Sequence, residues 1–464
     1  MIIIIYNLIL LLLLFLNFSS CNQYVFVYEH FRHGARGPCN YLDSNGLDYL
    51  GVKWETVGEL SPIGMRMHYL LGIKNHYKYK DFLSEKFDPR EIVIYSTYIN
   101  RTISSALANL QGFYPYETGP YLLSEDQIKN AIPPNKITEE MQNEIDKLGN
   151  KTLPNLINIV PIHTYSIYDH MILLFDVDND CEPVAKIRKE ILKQEKFKNY
   201  SLEFNETFGK NLLKFLNKTE EYDKFVNWTY IDIFCDHFIA DSTDLTDSSF
   251  LERLEYYEIN ITNLNEKCGN ILAIQNKDVV FGNDDIIIMS QSPHFRMLLN
   301  LMENRIELFK QNKSDYLNYN YPKFFIFSGH DTTIGGIQSF MNKVFDTDII
   351  RPKFAANLYF DVEYDDSDNN FYVNYIYNDD VLKRIEFNEF KNKINNVLWS
   401  DKKIKNYCKF KYIYYDDDDD KNKIIFYIII GILSLLVIVL SIVIIYLIKK
   451  KNKSSFSILN SDKV

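Results

Sequence analysis

The stretch Tyr24–Pro38, YVFVYEHFRHGARGP, decides how this 464-residue chain is read. Tyr24 to Tyr28 is apolar, with β-branched and aromatic residues, and predicts a buried strand of an α/β sheet. It runs directly into Arg32-His33-Gly34-Ala35-Arg36-Gly37-Pro38, so the chemistry falls just past a strand's end. Gly34 and Gly37 read as tight-turn residues that let Arg32, His33 and Arg36 converge. Planar guanidinium groups suit gripping phosphate oxygens in pairs, and a histidine between two of them is a candidate nucleophile. The same letters alone also fit a basic surface loop, so the rest of the chain has to supply partners.

It does so at two further strand ends. Ser61-Pro62 marks a helix start, with Ser61 as N-cap and Ile63, Met67, Leu70 and Leu71 as an apolar stripe. Glu91–Ser96 (EIVIYS) predicts a second buried strand, and Arg101 stands where the following helix begins, a position that favours anions. From about 121 to 270 Pro133-Pro134, polar helical segments and few apolar strands predict a largely helical lobe inserted between core segments 22–120 and 271–408. His163, His170, His237 and His294 in or near it read as structural, and Cys235-Asp236-His237 is too crowded for a metal site. The apolar pattern returns at Ile286–Met289 and at Lys323–Phe327 (KFFIF), which leads into Ser328-Gly329-His330-Asp331-Thr332-Thr333. Ligands of open parallel sheets sit outside the strands' carboxyl ends, so Arg32/His33/Arg36, Arg101 and His330/Asp331 are expected to share one pocket.

The ends of the chain set its compartment. Residues 1–21 have the layout of a secretory signal peptide, apolar through residue 16 and then small at Ser19, Ser20 and Cys21. Ile424–Ile448 is uncharged and long enough to cross a bilayer, with Asp416–Asp420 before it and Lys449, Lys450, Lys451 and Lys453 after it. The positive-inside rule makes 449–464 a cytosolic tail and 22–423 a lumenal or extracellular domain. Net charge is -11; residues 424–464, with five lysines and one aspartate, carry +4, leaving -15 for the rest. That balance argues against nucleic acid as a partner and gives a local arginine cluster a local purpose. Sequons begin at Asn150, Asn199, Asn205, Asn217, Asn227, Asn260 and Asn312, so the middle region is expected to be exposed and glycosylated. Asn100 begins another beside Arg101 and is expected to stay unmodified. Six widely spaced cysteines without a Cys-X-X-Cys pair predict long-range disulfides rather than zinc.

Together RHGARGP at 32–38, Arg101 in STYINRTISSALANLQGFYP and SGHDTTIGG around His330-Asp331 resemble the histidine acid phosphatases, a branch of the phosphoglycerate-mutase-like histidine phosphatases. GELSPIGMRMHYLLG (58–72) and PIHTYSIYDHMILLFDVDNDC (161–181) add to a likeness spanning most of 24–408. With its two apolar ends, the chain looks most like the membrane-bound lysosomal and prostatic type. The resemblance implies a mostly parallel sheet flanked by helices, with the helical lobe inserted and one C-terminal transmembrane helix. It implies phosphate-monoester hydrolysis with His33 as nucleophile through a phosphohistidine, and Asp331 as proton donor. Arg32, Arg36, Arg101 and His330 match the phosphate-binding residues; no metal or other cofactor is implied.

An acidic working pH fits a carboxyl group that must start protonated. Neighbouring arginines lower its pKa while burial and bound phosphate raise it. Cys181 and Cys408 occupy the places of a paired family cysteine couple. Cys235 resembles another family cysteine, but its usual partner is missing, so Cys235 with Cys268 is a guess and Cys39 has no clear partner. Members of the family often form homodimers. The tail sequence Phe456-Ser457-Ile458-Leu459 faintly resembles a sorting signal and leaves lysosome and cell surface both open. Competing readings are a phytase or inositol-polyphosphate phosphatase, disfavoured by the acidic ectodomain, and a non-enzymatic phosphate-binding membrane glycoprotein, disfavoured by the complete motif set.

Overall fold

The computed structural model of the chain describes residues 23–39, 57–164, 181–216, 227–244, 248–313 and 320–408. The expected signal peptide, the span at 424–448, the tail, His170 and the sequon at Asn217 lie outside these residues. Among the described residues no helix is long and apolar enough to cross a membrane.

Strand β1 (Gln23–Arg32) is longer than its apolar run, because it is the middle strand of a seven-stranded sheet and is buried from Val25 to its end. Of its buried polar residues, Glu29 accepts from the Asn75 amide at 2.8 Å and the Asn357 amide at 3.4 Å, whereas neither ring nitrogen of His30 has a hydrogen-bond partner. A buried carboxylate so satisfied is tolerated inside a sheet. The other strands are β2 (Ile92–Ser96), β3 (His163–Thr164), β4 (Phe324–Gly329), β5 (Asn357–Asp365), β6 (Asn370–Tyr377) and β7 (Asp380–Glu386), in spatial order β3-β2-β4-β1-β5-β6-β7.

The expectation of a mostly parallel sheet is corrected here. β3-β2-β4-β1 are parallel neighbours, but β1-β5-β6-β7 pair antiparallel, so the sheet is evenly mixed. The second half is a meander whose tight connections use asparagines with left-handed backbone, Asn369 (φ 56) and Asn378 (φ 53). Short hairpins of this kind can join only antiparallel strands.

Helices α1 (Pro62–Tyr79) and α2 (Asn100–Phe113) follow β1 and β2. The Ser61 hydroxyl accepts from the Gly64 N–H, which is the N-cap the sequence suggests. Both helices cover a core that includes Val27, Phe31, Tyr79, Ile94, Phe113 and Phe324. Helices at Glu182–Leu192, Glu195–Phe204 and Lys210–Phe215 precede α3 (Trp228–Asp244) and α4 (Ile261–Ile274). These enclose a separate aromatic core with Phe197, Phe204, Phe234, Phe238 and Phe250. Emptying one such position costs about 3–5 kcal/mol. The lobe therefore has its own hydrophobic reason to hold its shape.

Two local expectations change. Ile286–Met289 lies in the first turns of α5 (Asp284–Lys310), where packing on every side makes a short apolar run helical. Asn205, which begins one of the sequons of the region expected to be exposed, is only 5% exposed inside the lobe. Cys181 is joined to Cys408 and Cys235 to Cys268, while Cys39 is a free thiol.

Candidate active site

Parallel register brings three strand ends level. Arg32 at the end of β1 pairs with Gly329 of β4, and Ser96 at the end of β2 pairs with Ser328. The chain then leaves each strand into a loop or a helix start. The His33 N–H donates to the Gly329 carbonyl at 2.9 Å, and the His33 carbonyl accepts from Ala355 at 3.1 Å. His330 caps helix α6 (Asp331–Phe345), and Arg101 lies in the first turn of α2.

Gly34 is explained by contact rather than by turn geometry. A Cβ on it would come within 2.5 Å of the Gly64 carbonyl oxygen, and a Cβ on Gly64 would meet the Ala35 carbonyl oxygen at 2.2 Å. Neither Gly34 nor Gly37 has a positive φ, and the backbone bends at Ala35 and Gly37. Bare backbone on both sides lets the Arg32–Gly37 loop lie directly on α1.

The six expected residues cluster into one floor, of which Arg32, Arg36 and Asp331 line the open cleft. Arg32 donates from Nη1 to the Pro352 carbonyl at 2.8 Å and from Nη2 to Asp331 Oδ2 at 2.7 Å, with its plane 4.5 Å from the centroid of the Phe354 ring. His33 and His330 have ring centroids 5.6 Å apart. His33 Nδ1 lies 2.9 Å from the Gly34 carbonyl oxygen, which can only accept, so Nδ1 carries the proton and Nε2 keeps its lone pair. The Arg101 Nη2 donates to His330 Nδ1 at 3.4 Å, and the other ring nitrogen of His330 bonds the Thr97 hydroxyl at 3.1 Å. Asn100 is exposed, and its amide donates to Glu59 at 3.1 Å.

Electrostatics follow from this crowding. Burial, then the Arg32, Arg36 and Arg101 guanidiniums, hold the His33 imidazole well below its ordinary pKa. Burial and Arg101 pull His330 down to about 3. Burial pushes the Asp331 carboxyl up, but Arg32, Arg36 and His330 outweigh it and leave its pKa below the usual carboxylate value. The free site thus holds a neutral imidazole and an ionised Asp331 whose side chain is 38% exposed to the cleft.

The roof comes from the lobe, and sequence reasoning missed it. Asp236 on α3 accepts from the Arg36 Nη2 at 2.9 and 3.2 Å, a contact across 200 positions of sequence. One turn earlier Asp232, pushed up to about 8 by burial and by the nearby Asp236 and Asp331, faces the same cleft. This cleft of about 300 Å³ runs between Arg32, Arg36 and Asp331 on one side and the two lobe aspartates on the other, with Cys39 at its wall. Nothing local in Cys235-Asp236-His237 marks Asp236 as a partner of Arg36, which lies 200 positions away. Phe354 has no local signal either. Among the described residues no group of three or more His, Cys, Asp or Glu is placed to hold a metal ion.

The model of the histidine phosphatase superfamily (branch 2) matches residues 39–378. The chain is similar to prostatic acid phosphatase of Mus musculus, 24% identical over 338 residues that cover 71% of this chain and 73% of that protein. It is also similar to lysosomal acid phosphatase of Xenopus laevis, 36% identical over 114 residues, 25% of this chain and 26% of that protein. Among solved structures it resembles Hafnia alvei phytase in complex with myo-inositol hexakis sulphate, with a TM-score of 0.53 and 11% identity over 82% of this chain and 98% of that one. The phytase from Citrobacter braakii gives 0.52 and 12% over 81% and 98%. At such identities these two speak to the fold alone.

Proposed function

The chain belongs to the histidine phosphatase superfamily, branch 2, and from that premise we propose that it is an acid phosphatase that hydrolyses phosphomonoesters through a phosphohistidine on His33. The observation that carries the reading is the buried His33 ring, its Nδ1–H turned to the Gly34 carbonyl and its surroundings filled by three arginines. An imidazole so placed stays neutral in acid, and its lone pair remains available where an unperturbed histidine is protonated.

Arg32, Arg36 and Arg101, with His330 beside Arg101, take the non-bridging oxygens of the phosphoryl group. His33 Nε2 donates its lone pair to phosphorus, the bond from phosphorus to the ester oxygen breaks, and Asp331 gives its proton to the departing oxygen. Water then attacks the phosphohistidine and Asp331 takes a proton back. The P–N electron pair returns to Nε2 and phosphate leaves. Because the arginines meet the developing charge, activity is expected to survive chelation of metals.

The ion pair between Arg32 and Asp331 gives the cycle its pH dependence. In the empty site the arginines keep Asp331 ionised. A bound phosphate dianion takes over those guanidiniums and places negative charge beside the carboxylate, which raises its pKa. Acidic medium then keeps the donor protonated, and activity falls as pH rises through the shifted value. The test is activity across pH 3 to 8 with and without EDTA, beside His33→Ala. Activity in acid that resists EDTA and drops by at least about 10³-fold in the variant is expected; a variant that keeps its rate removes His33 from the chemistry.

The same reading takes 424–448 as a membrane anchor, with a cytosolic tail and a lumenal or extracellular enzyme at the lysosome or cell surface. Truncation before Ile424 is expected to release active protein from the membrane fraction, and retention there contradicts it.

A further inference from the structure

Arg351 has no part in the reaction described above. It precedes β5, and it borders the main cleft on one side and a side pocket of about 100 Å³ on the other. This pocket is several times the space one water needs. The guanidinium is pressed against α4 so closely that a Cβ on Gly269 would come within 2.3 Å of its Nη1. Its Nε is buried without a hydrogen-bond partner, and among the described residues the side chain makes no ion pair.

Two more residues that line the side pocket carry a buried donor without a hydrogen-bond partner. Gln338 is fully buried; its Oε1 accepts from the Ile350 N–H at 3.1 Å, which turns Nε2 away with no partner. Ser339, 3% exposed, has a hydroxyl without a partner. Buried donors are rarely left unpaired unless something else completes them, and here all three line one cavity. The acids nearby are engaged: Asp331 is held by Arg32 and Asp236 by Arg36. Burial and the neighbouring Arg32 charge disfavour the Arg351 cation, and an anion beside it relieves both.

We propose that Arg351, Gln338 and Ser339 form a second anion subsite, so that the enzyme favours phosphomonoesters whose leaving group carries a further phosphate. The inference rests on the phosphatase reading for its meaning, but its test does not depend on turnover. A planar guanidinium flanked by neutral donors suits a phosphate's spread of acceptor oxygens.

Binding of propane-1,3-diol monophosphate and propane-1,3-diol bisphosphate is measured by calorimetry at pH 5 on the full chain carrying His33→Ala, which blocks hydrolysis. The bisphosphate is expected to bind about tenfold tighter. Adding Arg351→Gln brings the two affinities within about twofold, whereas Arg351→Lys, which keeps the charge, retains part of the difference. Equal affinities before the change, or a preference that survives Arg351→Gln, overturn the subsite. Should Arg351→Gln not fold, Ser339→Ala and Arg351→Lys decide: an undiminished preference in both overturns it. Wild-type chain that binds both compounds and hydrolyses neither sinks the phosphatase reading instead.

Discussion

The floor and the roof of the cleft are built in opposite ways. The floor collects Arg32 at the end of β1, His33 just past it and Arg36 in the loop beyond, His330 and Asp331 one and two positions past β4, and Arg101 in the first turn of the helix that follows β2. The roof brings Asp232 and Asp236 from one helix of a lobe with a separate core, fixed by its own disulfide. A sheet edge positions groups to fractions of an ångström by its ladder, which suits bond making; a lobe that carries its own core can vary without disturbing that ladder. The contrast predicts that rate depends on the floor and selectivity on the roof.

Changes on the floor should therefore lower rates most. Asp331→Ala is expected to slow alkyl phosphates by about 10²–10⁴-fold while p-nitrophenyl phosphate, whose leaving group hardly needs a proton, loses far less. Parallel losses measured on both substrates would take the donor role from Asp331. On the roof, Asp236→Asn removes the charge that holds Arg36 and should reduce kcat/KM by about tenfold through KM, with kcat little changed. An equal fall in kcat would make Asp236 part of the floor's machinery and dissolve the contrast.

The smallest effect concerns stability alone. Asp232 is raised to about 8 in the folded chain against 3.8 as its ordinary value, so its contribution is fully present below about 3.8 and is lost as pH rises towards 8. Asp232→Asn cannot titrate. Its gain in melting temperature over wild type should be larger at pH 7 than at pH 4, and calorimetric scans giving the same gain at both would show the carboxyl to be solvated.

Much of the floor was legible because Arg32-His33 and His330-Asp331 each follow a continuous apolar run, and such runs in buried parallel strands are plain in sequence. Arg101 was legible because a helix start and an arginine coincide. The antiparallel half of the sheet was not read: Asn357–Tyr377 alternates and is aromatic, but it carries no chemistry to draw attention. Ile286–Met289 has a strand's letters and is helical because its surroundings bury every side. Asp236 stayed hidden since its partner Arg36 lies 200 residues away, and no local pattern encodes that meeting. Phe354 and Arg351 sit in an irregular segment between α6 and β5, where periodicity gives no information.

The Cys181–Cys408 bond closes a covalent ring across 227 positions of the chain, enclosing most of the lobe, β4 and the antiparallel meander. A protease that cuts once anywhere inside this ring opens a peptide bond without producing two separate pieces. The segment with His330 and Asp331 stays tied to the helix bearing Asp236 after such a cut, and only reduction sets the fragments apart. Asp331 and Asp236 thereby stay in one molecule after the backbone is no longer continuous.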